Sequence, residues 1–580
     1  MHCLLRLLTW QSIDFSNSLR IVDMRPDQKS ANKIASLLLF FCLMWNMPAY
    51  PKNTLVIGVT QFPNNFNPLI NSMMAKSYIL AFARKRMTLY DENWNLVCVL
   101  CDMLPSIQNG MAVFGKKSYG NDGVSVTFRL DKRAVWGDGT PITTKDVLFT
   151  WKVGKHKLTG VSDYEIFRRI SNIDILDSHS FTMHLDQQTC DFANLDNFQL
   201  LPAHIEAKNF SIPAEYRNRS AYETETTNPG LWFGPYVVNK VVPGSHVILE
   251  QNKFWWGRKP HFKRITVLAI ENTASITANL LAGGIDMIAG EIGLTIDQAL
   301  AFQQRYGERF EFLYKPSLIY EHIDFNFDNP ILKDRRVRQA LLYSVDRNAI
   351  SSQLFKGHQP VAHSNINPLD ASYNQDVKKY AFNPQKARKL LDEAGWSTNK
   401  DGLRYNHKGE ALRFELMTTS GDKTRELIQQ VLQSQWRHVG VGVRIKNQPP
   451  RVYFGNTINQ RRFKSLAMYA WLSAPNSLPR SQLHSAMIPS KTNGWSGQNF
   501  PGFTDPRMDK MLDEAEKKCE QPAQRKLRKR LQQLYAEELP ALPLYFRATS
   551  HIIPKWLNGI KPTGHQYSTA NWVEHWGVKE

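Results

Sequence analysis

Apolar and polar residues alternate cleanly through Val124-Ser125-Val126-Thr127-Phe128-Arg129-Leu130, which predicts a strand with one face in a core. Thr54-Leu55-Val56-Ile57-Gly58-Val59 is a β-branched run and reads as a buried strand. The loop Gln61-Phe62-Pro63-Asn64-Asn65-Phe66-Asn67-Pro68 follows at its end. Gly137-Asp138-Gly139-Thr140-Pro141 predicts a turn, and Thr144-Lys145-Asp146-Val147 a capped helix start. Tyr236–Val242 and Val247–Gln251 flank Pro243-Gly244 as a hairpin, with a further strand over Arg264–Ile270. Thr273–Ala282 reads as a helix stopped by Gly283-Gly284.

Helical spacing continues from Lys333 to Leu354, which predicts one long helix, and again over Pro384–Ala394. Strand Phe414–Thr419, helix Thr424–Val439 and strand Gly442–Lys446 form a β-α-β order, which argues for an α/β fold. Leu542–Arg547 reads as a short strand ahead of a Trp- and Gly-punctuated tail over Pro554–His575. No internal repeat or low-complexity linker interrupts these elements.

At 580 residues the chain exceeds one compact core and predicts about three domains. Hydrophobic content of 42% and charged content of 21% are those of a folded protein. The net charge of +20 is spread along the chain with no single basic stripe, which argues against a nucleic-acid partner. In the densest run, Arg525-Lys526-Leu527-Arg528-Lys529-Arg530, the leucines Leu527, Leu531 and Leu534 share one helical face. The charges are then expected on the solvated remainder.

Lys29 and Lys33 precede the apolar run Leu37–Trp45, and Met47-Pro48-Ala49 follows it. This is the order of a secretory signal peptide cleaved after Ala49, and the run is shorter than the ~20 residues of a membrane span. Its late position points to Met24 as the initiator. Lipidation at Cys42 is disfavoured by bulky Phe40 and Phe41. Five basic and three acidic residues leave with residues 1–49, so the strong positive charge stays with the mature chain. Cys98, Cys101, Cys190 and Cys519 also stay. An oxidising compartment permits disulfides between them, with three pairings open. Cys98-x-x-Cys101 has the spacing of a redox pair. However, Leu96–Leu100 reads as a buried strand with no helix start behind it to activate a thiol.

Catalytic motifs do not emerge. There is no His-Glu-x-x-His. Gly421-Asp422-Lys423-Thr424 lacks the upstream glycine of a phosphate loop, and Gly494-Trp495-Ser496-Gly497 has its second glycine one place early for a nucleophile elbow. The reading is of a non-enzymatic protein with no cofactor and no metal site.

Several blocks together resemble the bacterial extracellular solute-binding proteins of family 5, which include oligopeptide-, dipeptide- and nickel-binding members. They are Val126–Leu130 with Trp136–Pro141; Gly234-Pro235-Tyr236 with Phe254-Trp255-Trp256-Gly257; Leu281–Asp286; Asp334–Leu341 with Val345-Asp346-Arg347; Tyr380–Pro384 with Leu390–Trp396; and Leu539–Leu544. They run in family order along the mature chain.

The resemblance implies an α/β, two-lobed periplasmic-binding-protein fold with a hinge and an additional inserted domain. After residues 1–49, lobe I would comprise 50–87, 200–315 and 544–580. The inserted domain would be 88–199, and lobe II 316–543. The ligand, a peptide or peptide-like solute, would bind between the lobes and be passed to ABC permease subunits at the inner membrane, the protein acting as a periplasmic monomer. A metal chelate, haem or glycan-derived solute is the alternative ligand, and a secreted hydrolase the remote one. The resemblance carries ligand contacts onto Gln61, Phe62 and Asn64, onto Gly290 and Glu291, onto Trp471 and Ser473, and onto Tyr545 near the hinge.

One departure stands out. Peptide-binding relatives commonly carry an Asp shortly after the tryptophan of the Trp471 loop, to pair with the ligand's ammonium. Here the loop reads Trp471-Leu472-Ser473-Ala474-Pro475-Asn476. Either another acid such as Glu291 serves, or the ligand has no free amine there, because an unpaired buried ammonium is costly.

Overall fold

The computed structural model describes residues 52–579 except 64, 71–72, 117–121, 162–164, 450–451 and 493–496. The signal-peptide segment, Cys42, Met24, Ala49 and the Gly494-Trp495-Ser496 stretch lie outside the described residues. Residues 53–580 form one compact unit.

Ten strands make one continuous sheet. In chain order they are β1 (Thr54–Val59), β2 (Tyr236–Val242), β3 (His246–Gln251), β4 (Arg264–Ala269), β5 (Met287–Ile288), β6 (Phe310–Phe325), β7 (Arg413–Met417), β8 (Gly442–Ile445), β9 (Leu466–Leu472) and β10 (Ala541–Pro554). Across the sheet the order is β8-β7-β9-β6-β10-β5-β1-β4-β3-β2. The long strands β6 and β10 sit in the middle and pair antiparallel from Phe310↔Pro554 to Asp324↔Ala541. Their register shifts between Pro316 and Tyr320. On one side β1 lies parallel to β4, and on the other β7 is parallel to β8 and β9.

The core is divided accordingly. One large cluster gathers β1–β4, the helix α1 (Met74–Ala83) and the four-stranded sheet of Ala112–Lys116, Asp122–Arg129, Ile170–Ile175 and Ser180–Leu185. A second gathers β6–β9 with the helix α2 (Lys423–His438). A third is built by the helices α3 (Pro506–Lys517) and α4 (Gln521–Glu538) and joins the second through Phe327. The residues of 88–199 thus pack into the same core as β1–β4, because their inward positions, such as Phe128, Trp136 and Phe198, are fully buried there.

Local expectations fare differently. The alternation at Val124–Arg129 is realised, with Val124, Val126 and Phe128 buried. Thr143 caps the helix Thr144–Lys155 in a capping box with Asp146. The long helix over Lys333–Leu354 is not formed. Asp334 and Asp346 accept hydrogen bonds from the backbone N–H of Arg336 and Ala349 at 2.8 and 2.9 Å, and each begins a new short helix. The expected short strand at Leu542–Arg547 is the first half of the fourteen-residue β10, which runs on to Pro554. Leu96–Leu100 is strand only as far as Cys98, half-buried.

Among the described residues two disulfides form, Cys98 with Cys101 and Cys190 with Cys519. No helix of the described residues is long and apolar enough to cross a membrane.

Candidate functional site

The segment leaving β9 begins at Leu472, which lines a cavity together with Lys76 and Arg84 from the β1 side of the sheet. Three cavities surround it. One of about 250 Å³ lies on the β6/β9 face and is lined by Tyr320, His322, Asp324, Trp471, Ser473 and Tyr535, among others. A second, of about 280 Å³, is lined by Met73, Met74, Lys76, Arg84 and Gln566, with Leu472 contributed from β9. The third, of about 320 Å³, runs between Arg169 and Cys190 on one side and Arg480, Glu516 and Arg528 on the other. The first and third share Ser477 and Leu478, and the first and second share Leu472.

Strand alternation builds the first cavity. Tyr320, His322 and Asp324 occupy one face of β6, and the register sets Tyr320 opposite Trp471 and His322 opposite Tyr469. The Tyr320 ring stacks on His322 with centroids 4.9 Å apart, and its hydroxyl meets that of Tyr535 at 2.9 Å. His322 Nδ1 faces the Tyr320 carbonyl at 3.2 Å, and Nε2 lies 3.2 Å from Asp324 Oδ1. The Tyr469 hydroxyl donates to the other Asp324 oxygen. Burial, with Asp324 adding to it, pushes the Tyr469 phenol well up and keeps it neutral. Trp471 is half-buried and stacks on Phe500 with rings 5.7 Å apart. The wall is therefore aromatic above a hydrogen-bonded His-Asp-Tyr floor.

The second cavity has a cationic wall. Lys76 Nζ donates to Asn65 Oδ1 at 3.2 Å and to the Asn67 carbonyl at 2.8 Å. Burial holds its ammonium down to about 8, against Glu223, which raises it, while Arg84 lowers it further. Lys85 pairs with Glu574 at 2.8 Å, and Arg86 pairs with Asp196.

Opposite the His322 face, Glu321 is fully buried and accepts from Arg425 at 2.7 Å and from Arg547 at 2.7 Å. Burial works against its charge, but the two guanidiniums outweigh that cost and hold its carboxyl at about 2. This cluster joins β6, α2 and β10 beside the register shift.

Of the residues expected to bind ligand, the structure brings Trp471 and Ser473 together in the first cavity. Gln61 is exposed, Phe62 packs on Phe66 with rings 6.4 Å apart, and Asn64 lies outside the described residues. Gly290 donates its N–H to His551 Nδ1 at 3.1 Å. Glu291 Oε1 accepts from the Thr569 N–H at 2.6 Å and its hydroxyl at 3.1 Å. Tyr545 is 3% exposed, packs on Phe355 and stands opposite Glu321 on β10. None of Gln61, Phe62, Gly290, Glu291 and Tyr545 lines the three cavities.

Sequence reasoning missed His322 and Asp324. Their polar alternation in Tyr320-Glu321-His322-Ile323-Asp324 was the available signal. It also placed Arg528 on the solvated face of α4, whereas Arg528 is 6% exposed and turns into the third cavity. The leucines Leu527, Leu531 and Leu534 are buried as expected.

A sequence model of the bacterial extracellular solute-binding proteins, family 5, matches residues 113–491. The chain belongs to this family. Its relatives include the oligopeptide-binding protein AppA of Bacillus subtilis, 25% identical over 533 residues, 89% of this chain and 91% of that one. The periplasmic oligopeptide-binding protein OppA of Salmonella typhimurium is 23% identical over 458 residues, covering 75% and 78%. Among solved structures, the oligopeptide-binding protein of Thermus thermophilus, complexed with a pentapeptide, superposes with a TM-score of 0.74. It is 28% identical, over 91% of this chain and 97% of that one. NikZ from Campylobacter jejuni in complex with Ni(L-His) gives 0.73 at 25% identity, over 91% and 100%. The fold is therefore the two-lobed α/β fold of this family of binding proteins, which answers the expectation from the sequence blocks.

Proposed function

We propose that the protein is the binding component of an ABC importer and takes a peptide or peptide-like solute around the segment Trp471–Arg480. The observation that carries the reading is the aromatic cavity of about 250 Å³ under Trp471. It shares Leu472 with the cavity lined by Lys76 and Arg84, in a chain whose relatives bear oligopeptide-binding names. Backbone pairing would give affinity without side-chain selectivity, and the cavity would take the side chains. A solute that touches both halves favours the closed form by the difference of its affinities for the two forms.

We assign lobe I to residues 50–87, 200–315 and 544–580, the accessory domain to 88–199, and lobe II to 316–543, with β6 and β10 as the hinge. The division of the buried clusters supports it, although 88–199 shares the first lobe's core. Export by the Lys29–Ala49 signal, a periplasmic site of action, a monomeric state and handover to permease subunits complete the proposal. No catalytic role is assigned.

The test is thermal unfolding with defined peptides, their N-acetylated counterparts and a nickel–histidine chelate. Binding raises stability as RT ln(1 + [L]/Kd). Shifts with free peptides support the reading. Equal shifts with acetylated peptides dispense with an amine anchor, and a shift with the chelate alone overturns the peptide reading.

A further inference from the structure

The Cys190–Cys519 disulfide joins residues 329 apart in sequence, and the two ends belong to different bodies. Cys190 lies between Leu185 and Phe192, which both pack against the core of β1–β4. Cys519 lies between α3 and α4, whose Ala515 and Leu527 form the helical core beside β6 and β9. Elsewhere the chain passes between these bodies along β6 and β10, paired neighbours at the centre of the sheet. Two adjacent strands permit rotation about their common line. A third covalent tie away from that line removes the rotation.

The surroundings point the same way. Cys190 lines the third cavity, which both bodies wall. Across that gap Arg169 Nη1 meets Glu516 Oε1 at 3.6 Å, while its Nε lies 3.7 Å from Asp186 Oδ1 on its own body. Glu516 Oε2 lies 3.6 Å from Arg480 on its own body. These ionic contacts are long and give way to water readily, whereas the sulfur bridge between the two sides is covalent.

We propose that Cys190–Cys519 is a latch. While oxidised it holds the two bodies together over the cavities, and full opening for solute exchange follows its reduction by a dithiol donor. In that step a donor thiolate attacks one sulfur and a cysteine thiolate leaves. The donor's second thiol then displaces the other cysteine and forms the donor's own disulfide. Two electrons and two protons pass from donor to protein, leaving two cysteine thiols.

The latch is independent of which solute binds, so its test uses none. Small-angle scattering of the full mature chain, free of solute and purified without reductant, is compared before and after dithiothreitol. The radius of gyration and maximum dimension are expected to rise only on reduction. Cys190→Ser with Cys519→Ser should be extended from the start. Cys98→Ser with Cys101→Ser should stay compact until reduced. Identical curves for the oxidised and reduced wild type overturn the latch, as does alkylation of Cys190 and Cys519 in the untreated protein. Should the first double variant fail to fold, the dithiothreitol arm decides. Circular dichroism unchanged on reduction supports a reversible latch, and its collapse overturns one.

Discussion

Glu321 on β6 and Arg547 on β10 meet through Oε2 and Nε at 2.7 Å, although they stand 226 residues apart in the chain. Arg425 of α2 holds the other oxygen, so one fully buried carboxylate fastens three elements beside the register shift of the central strands. Removing the carboxylate leaves the two guanidiniums with only the longer ionic contacts to Asp422, at 3.6 Å from Arg425 and 3.9 Å from Arg547. Glu321→Gln is expected to cost about 3–5 kcal/mol, as breaking one side of a buried pair does. Chemical denaturation measures it, and a loss below about 1 kcal/mol would show the cluster to be hydrated and weak.

The same cluster sets an acid limit. The folded carboxyl of Glu321 sits at about 2 against an ordinary 4.5. A depressed carboxyl stabilises the fold above the unfolded value and loses that stability as pH falls towards the folded value. Stability is expected to fall between about pH 4.5 and 2, by on the order of 3 kcal/mol from this group. Lys76, held down to about 8 from 10.5, also gives stability that rises with pH, in a separate alkaline window. Its buried ammonium opposes folding below pH 8, and the penalty fades as pH rises to 10.5. Melting curves of wild type against Glu321→Gln and Lys76→Met isolate the two windows.

Trp471 stacks on Phe500 and is left half open to the cavity. Its removal should therefore affect binding more than folding. Trp471→Ala is expected to weaken peptide affinity by about 2 kcal/mol, roughly thirtyfold, as truncating an aromatic anchor does. Calorimetry measures it, and unchanged affinity would remove Trp471 from the site.

The buried Arg528 guanidinium makes one hydrogen bond, to the Ser477 carbonyl at 3.3 Å, and no ion pair among the described residues. Burial pulls its guanidinium down from the ordinary arginine value, with Asp191 and Asp370 opposing. Arg528→Met keeps the volume and removes the charge, so stability should hold or rise by about 1 kcal/mol. A loss above about 2 kcal/mol would mean that the distant acids do stabilise it.

Gly234 donates its N–H to the Ala83 carbonyl at 2.8 Å, and a Cβ there would come within 2.5 Å of the Arg84 backbone nitrogen. Backbone cannot swing aside as a side-chain tip can. Gly234→Ala is expected to cost about 3 kcal/mol or more through displacement of the end of α1. Thermal unfolding checks it, and a neutral result would show the approach to be slack.

Much of this protein could be read along the chain. The strand at Val124–Arg129, the hairpin around Gly244, the helix Thr273–Ala282 and the β-α-β run from Arg413 to Ile445 follow from patterns spanning a few residues. Period, caps and turn residues act over those distances. The ordered blocks carried the family. The Trp471 and Ser473 contribution to a cavity was also legible, through the resemblance.

Tertiary structure decided the rest. Glu321, Arg425 and Arg547 look like solvated charges until three distant elements close over them, and Arg528 looks like its exposed neighbours Arg525 and Lys529. The partner of each cysteine was likewise open among three pairings until the fold set Cys98 against Cys101 and Cys190 against Cys519. A helix or strand is specified by its own side chains and hydrogen bonds. Burial of a given charge, or the meeting of two sulfurs, depends on what packs against it from far along the chain.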